Sequence, residues 1–178
     1  MFLLRLCLRL RNWLVPRNLG NSGLQQDRQV PYELGVKDCV ARYIYSRSQI
    51  RTSTARPKPA AFDPSPHNEL SVVHTTGLSS SEIWRIGCLT LGTQPGRTTI
   101  YGKVDIPVMA LVEQKLHAVR DDDPFERHTS VLGWPALADP NEMKQIRKAI
   151  CLELSQNPDI EVDIPPSPLS RERLDAVE

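Results

Sequence analysis

Between Asp139 and Pro158 the chain is fenced into one helix, and that helix limits what the rest can be. Asp139 supplies a side-chain acceptor for the unpaired amides of a first turn, Pro140 fits the first helical position, and Glu142 places an acid near the positive end. Met143, Ile146, Ile150 and Leu154 recur at three- and four-residue spacing, so one face is apolar and must be covered. Pro158 stops the run. The spacing predicts a helix over 140–155.

Two shorter helices offer similar faces. Ser79 and Glu82 form a capping box, Leu78 and Ile83 flank it as a hydrophobic staple, and Gly87 is expected to stop the helix, giving 80–86. Asp105 and Pro107 can start a second, over 106–115, with Met109, Val112 and Leu116 on its apolar side. Runs rich in β-branched and aromatic residues predict strands at 39–46, 70–75, 99–104, 116–119 and 128–132. Pro57, Pro59, Pro64 and Pro66 exclude regular structure from the polar stretch between the first two strands. A sheet is the natural partner for three one-sided helices. The expected fold class is α+β: one domain, a mixed sheet of about five short strands, and two or three helices. The core domain is expected over 39–156. Residues 1–38 then form a basic, poorly ordered extension and 157–178 a disordered, Pro-rich tail.

Charge is balanced only in total. Residues 1–60 carry eleven Lys/Arg against three Asp/Glu, while the remainder is acidic. Such an arm can dock on nucleic acid, but its Lys and Arg are scattered and lack the interleaved aromatics of a stacking platform. In residues 1–18, arginines alternate with leucines, and Leu6, Leu10, Trp13 and Leu14 would share a helix face. A mitochondrial-type presequence, a secretory signal and an interfacial membrane helix all compete there with a loose extension. The absence of an early Ser argues against the first, and arginines interrupting the apolar stretch argue against the second. No apolar run reaches the roughly 20 residues of a membrane-spanning helix.

Most chemical templates fail on spacing. Gly92-Thr93-Gln94-Pro95-Gly96-Arg97-Thr98 has too few residues between its glycines for a phosphate loop, and Arg replaces Lys. Cysteines at 7, 39, 88 and 151 form no zinc pattern. Ser79, Ser80 and Ser81 are accounted for by capping, and no nucleophile elbow is present. Cys39, Cys88 and Cys151 lie among apolar neighbours, although a Cys–His pair with His74 or His128 can form in space. What remains is acidic and basic. Asp121, Asp122 and Asp123, with Glu126 and His128, offer hard oxygen ligands and a base, so Asp121, Asp123 and His128 are the metal candidates. Arg127, beside that turn, and Arg42, in the first expected strand, are candidates for gripping phosphate or a nucleotide. A solvated acidic turn between two strands explains the same residues without chemistry.

Ala61-Phe62-Asp63-Pro64, Glu69-Leu70-Ser71-Val72 and the run from His128 to Gly133-Trp134-Pro135 together resemble a group of small uncharacterised bacterial proteins. The resemblance covers about residues 41–135. It implies a bacterial, cytoplasmic protein and carries no activity. The expectation for function is a non-catalytic interaction or regulatory protein with a protein partner and no cofactor. The alternative is a phosphodiester- or nucleotide-acting enzyme using Arg42, Asp121, Asp123, Arg127 and His128. A third option is nucleic-acid binding through residues 1–60.

Overall fold

The computed structural model describes residues 30–93 and 99–170. In chain order the strands are β1 (Tyr32–Glu33), β2 (Cys39–Ile44), β3 (Ile50–Arg51), β4 (Arg56–Pro57), β5 (Leu70–His74), β6 (Thr99–Ile100), β7 (Gly102–Pro107), β8 (His117–Arg120), β9 (His128–Leu132), β10 (Glu161–Asp163) and β11 (Leu169–Ser170). The helices are α1 (Ser80–Thr93), α2 (Val108–Glu113) and α3 (Pro140–Gln156). Seven strands form the main sheet in the order β1-β8-β9-β5-β2-β7-β10, and two further pairs, β3 with β4 and β6 with β11, stand apart.

The class is α+β, as the capped helices and short strands imply, but the sheet departs from expectation. It has seven strands rather than about five, and every adjacent pair in it is antiparallel rather than mixed. The extra strands lie at its edges and outside 39–156. β1 falls in the expected loose extension and pairs Tyr32 with Arg120. β10 falls in the expected loose tail and pairs Val162 with Val104. The reason is burial: Ile160 is fully buried and Val162 nearly so, and together they bring roughly 3–5 kcal/mol of apolar transfer energy that holds the tail on the sheet. Residues 1–29, 94–98 and 171–178, including the arginine–leucine segment and most of the phosphate-loop-like stretch, lie outside the described residues.

Alternation along the strands builds two cores, one on each face. Val40, Ile44, Leu70, Val72, Val104, Ile106, Ala118 and Val131 point to the first, which α2 and α3 cover with Val108, Leu111, Cys151 and Leu154. Ala41, Tyr43 and Val73 point to the second, covered by Ile83 and Leu91 of α1.

Three local expectations are corrected. Helix α1 does not stop at Gly87; it runs on to Thr93. A mid-helix glycine costs about 1 kcal/mol, but it places the helix against Tyr43, whose ring would lie 2.6 Å from a Cβ at that position. Running on also buries Leu91 to 2% exposure, worth about 2 kcal/mol. The helix expected from 106 starts at Val108 instead, because Asp105, Ile106 and Pro107 pair with Ala41, Val40 and Cys39 as the end of β7. The proline-rich stretch after β2 contains the short β3–β4 pair and two turns of 3-10 helix, at Arg47–Gln49 and Pro59–Ala61. Two caps form as their residues dictate. Glu82 accepts from the Ser79 amide at 2.8 Å, and Asp139 accepts from the Asn141 amide at 2.8 Å.

Candidate active site

The second core ends at Val73, and the same sheet face continues across β5, β9 and β8 as polar residues. Ser71 stands two residues before Val73 and faces Ser130 across the β5–β9 ladder, while His128 lies on the diagonal from Ser71. Asp121 follows β8 on the same side, its amide donating to the His128 carbonyl at 3.1 Å. Period-two alternation therefore gathers an acid, a histidine and two hydroxyls on one patch of sheet.

They are hydrogen-bonded in a line. His128 Nδ1 lies 2.6 Å from Asp121 Oδ1, and His128 Nε2 lies 2.8 Å from Ser71 Oγ. A carboxylate can only accept, so Nδ1 carries the proton, and an imidazole protonated there alone accepts at Nε2 from the serine hydroxyl. Ser130 Oγ donates to the second carboxylate oxygen, Asp121 Oδ2, at 3.2 Å. Phe125 stands edge-on to the His128 ring, 5.0 Å between centroids. The His128 side chain is 9% exposed and that of Asp121 28%, with Ser71 half-buried.

The turn over 121–127 holds this arrangement by dividing three consecutive acids. Asp121 turns to His128. Asp122 turns to the other face, where its carboxylate accepts from Arg120 Nε at 2.9 and 3.1 Å and from the Arg127 amide. Asp123 stays exposed. Asp122 and Arg127 both adopt positive φ, 53° and 66°, so the chain reverses without a glycine.

A second polar cluster lies on the opposite face. His74 is 8% exposed, with its Nε2 3.5 Å from Asp38 Oδ1 and its Nδ1 3.5 Å from Arg120 Nη1. Burial, reinforced by Arg120 and Arg127, pushes the His74 ring below its ordinary pKa despite Asp38. At 3.5 Å the Asp38 contact is an ion-pair distance rather than a formed hydrogen bond, and His74 Nε2 has no hydrogen-bond partner.

Of the residues singled out from the sequence, the structure brings together Asp121 and His128 and separates the others. Arg42 shares the face of Val40 and Ile44, opposite His128, and its Nη1 donates to the Ser71 carbonyl at 2.6 Å where the β2–β5 ladder ends. Arg127 donates from Nη1 to the carbonyls of His74 and Thr76 at 3.4 and 3.2 Å. Asp123 meets the cluster only through its amide, 3.3 Å from Asp121 Oδ1. Among the described residues, no group of three or more His, Cys, Asp or Glu is arranged to hold a metal ion. Burial raises the thiol pKa of Cys39, Cys88 and Cys151, the last to about 12, the direction that makes a poorer nucleophile.

Sequence reasoning missed Ser71 and Ser130. Both lie inside the short runs that carry the resemblance, but no chemical template marks them; what could have found them is alternation, since both interrupt the apolar period of buried strands. Among the described residues no helix is long and apolar enough to cross a membrane. Compared with known proteins, the chain matches no family model, no curated sequence and no solved structure.

Proposed function

We propose that Ser71, His128 and Asp121 are the nucleophile, general base and orienting acid of a hydrolase acting on an ester-type carbonyl. The observation that carries this reading is the unbroken hydrogen-bond line from Asp121 Oδ1 through the imidazole to Ser71 Oγ. That is the geometry by which a serine is activated whatever the surrounding fold. Ser71 Oγ attacks the carbonyl carbon as its proton passes to His128 Nε2. The carbon–oxygen bond to the leaving group breaks, and His128 returns the proton to the departing alkoxide. Water, deprotonated by the same nitrogen, then releases the acid and restores Ser71. Asp121 keeps the proton on Nδ1 and stabilises the transient imidazolium.

Acyl transfer is favoured over the phosphodiester alternative by the placement of Arg42 and Arg127, the two arginines that alternative needs. Phosphoryl transfer is helped by arginine or a metal at the transferring group. Arg42 lies on the other face of the sheet, and Arg127 is turned to two backbone carbonyls.

The test is labelling of the full chain with an alkyl fluorophosphonate, mapped by mass spectrometry. Modification of Ser71 that disappears in His128→Gln supports the reading. A native, folded chain left unlabelled at Ser71 overturns it.

A second reading, a non-catalytic interaction protein, is supported by Met109 and Val112, which stand one turn apart on α2 at 46% and 41% exposure. It expects a stoichiometric protein partner lost in Met109→Lys. The nucleic-acid reading draws less support within 30–60: Arg47 lies over the Tyr101 ring, and Arg56 donates to the carbonyls of Asn157 and Pro158.

A further inference from the structure

The carboxylate of Asp121 has two oxygens, and the relay uses one of them. Oδ1 faces His128 Nδ1 at 2.6 Å and also takes the Asp123 amide at 3.3 Å. Oδ2 takes the Ser130 hydroxyl at 3.2 Å. Asp121 lies one residue past the end of β8, and its side chain is 28% exposed. The last torsion of an aspartate is broad and roughly two-fold, so a carboxylate held at one oxygen alone can swing about that bond. A donor on the other oxygen removes that freedom.

Ser130 is placed for this by three strands at once. It stands two residues after His128 on β9, so alternation returns it to the His128 face. Across the ladders it faces Ser71 of β5 on one side and Val119 of β8 on the other. At 6% exposure its hydroxyl is sheltered from water, and its position is set by the sheet rather than by the turn. The bond is longer than the roughly 2.5–3.0 Å usual between oxygens. Bonds around a reaction centre are often long in the free protein and tighten as charge develops there.

We propose that Ser130 is a positioning residue of the Ser71 centre: by holding Oδ2 it keeps Oδ1 on His128 Nδ1, and so keeps Nε2 aimed at Ser71 Oγ. It acts only through Asp121. This rests on the hydrolase reading, and the two are separable by experiment. The full chain is treated with the alkyl fluorophosphonate, and the maximal labelling rate at Ser71 is measured apart from the probe concentration that gives half of it. In Ser130→Ala the maximal rate should fall about ten- to hundredfold, with the half-saturating concentration and the circular dichroism spectrum unchanged. Ser130→Cys, which fills the same place with a weak donor, should fall likewise, whereas Ser130→Thr, which keeps the hydroxyl, should retain most of the rate. In an Asp121→Ala background Ser130→Ala should cause no further loss, the non-additivity of residues that act as a unit. A folded Ser130→Ala or Ser130→Cys protein that labels at the parent rate overturns the role of Ser130 alone. So does a loss that repeats in full in the Asp121→Ala background. A folded wild-type chain left unlabelled at Ser71 overturns the hydrolase reading, and this role with it.

Discussion

Asp121 and His128 are hydrogen-bonded at 2.6 Å because the turn between them reverses the chain and sets the last residue of one strand's extension beside the first residue of the next. The bond orients the imidazole, and through it the Ser71 hydroxyl. Replacing Asp121 by Asn keeps the shape but lets an amide N–H face Nδ1, which favours the tautomer with its proton on Nε2. That nitrogen can then no longer accept from Ser71. Labelling and hydrolysis should fall on the order of 10³- to 10⁴-fold, with an unchanged circular dichroism spectrum. An Asp121→Asn protein as reactive as the parent would remove Asp121 from the mechanism.

Gly87 and Tyr43 should be coupled. A Cβ at position 87 would lie 2.6 and 2.8 Å from two atoms of the Tyr43 ring, and that ring is tied at its far end by a hydrogen bond from its hydroxyl to the Ile83 carbonyl. Gly87→Ala gains up to about 1 kcal/mol of helix propensity, whereas forcing extra volume into a tight contact costs about 1–3 kcal/mol. The net expectation in urea unfolding is destabilisation. Combining it with Tyr43→Leu should recover part of the loss, a non-additivity expected only of touching residues.

Acid should weaken the fold below about pH 6.5, the ordinary value from which the His74 pKa is lowered by burial. The folded state binds the His74 proton less well than the unfolded chain. Its contribution is therefore complete above pH 6.5 and is lost as pH falls through the lowered folded value. Asp38, its facing acid, is also held below its ordinary pKa, with the Gly35 amide, Thr76 and His74 outweighing burial, so its contribution is lost in the same direction at lower pH. Arg120 and Arg127 are the cations nearby that oppose protonation. Thermal melts between pH 7.5 and 5 should show a slope that His74→Gln flattens. An equal slope in both proteins would place the acid sensitivity elsewhere.

The segment after α3 should be part of the cooperative fold. Ile160 has no exposed surface, so Ile160→Ala should cost about 2–5 kcal/mol. Truncation after Gln156 removes β10 as well and should cost more. A truncated chain that melts at the parent temperature would show β10 to be dispensable.

Local chemistry was legible where the answer lies within a few residues. The Asp139 cap, the Ser79–Glu82 box and the strands around 39–44, 70–74 and 128–132 follow from side chains that meet their partners one turn or one alternation away. Gly87 was misread for the same reason: as a local signal it ends a helix, and only a residue 44 positions earlier, Tyr43, explains why it continues. β1 and β10 were illegible because two- and three-residue edge strands carry no period of their own and are held by the strand beside them.

The site divides along the same line. Sequence alone marked Asp121 and His128 as chemically capable and close, because seven residues and a turn separate them. It could not select among the acids of the turn, nor bring in Ser71, 57 residues before His128. That selection belongs to tertiary structure, since strand register decides which side chains share a face. A shift of one residue between β5 and β9 would send Ser71 and His128 to opposite sides of the sheet.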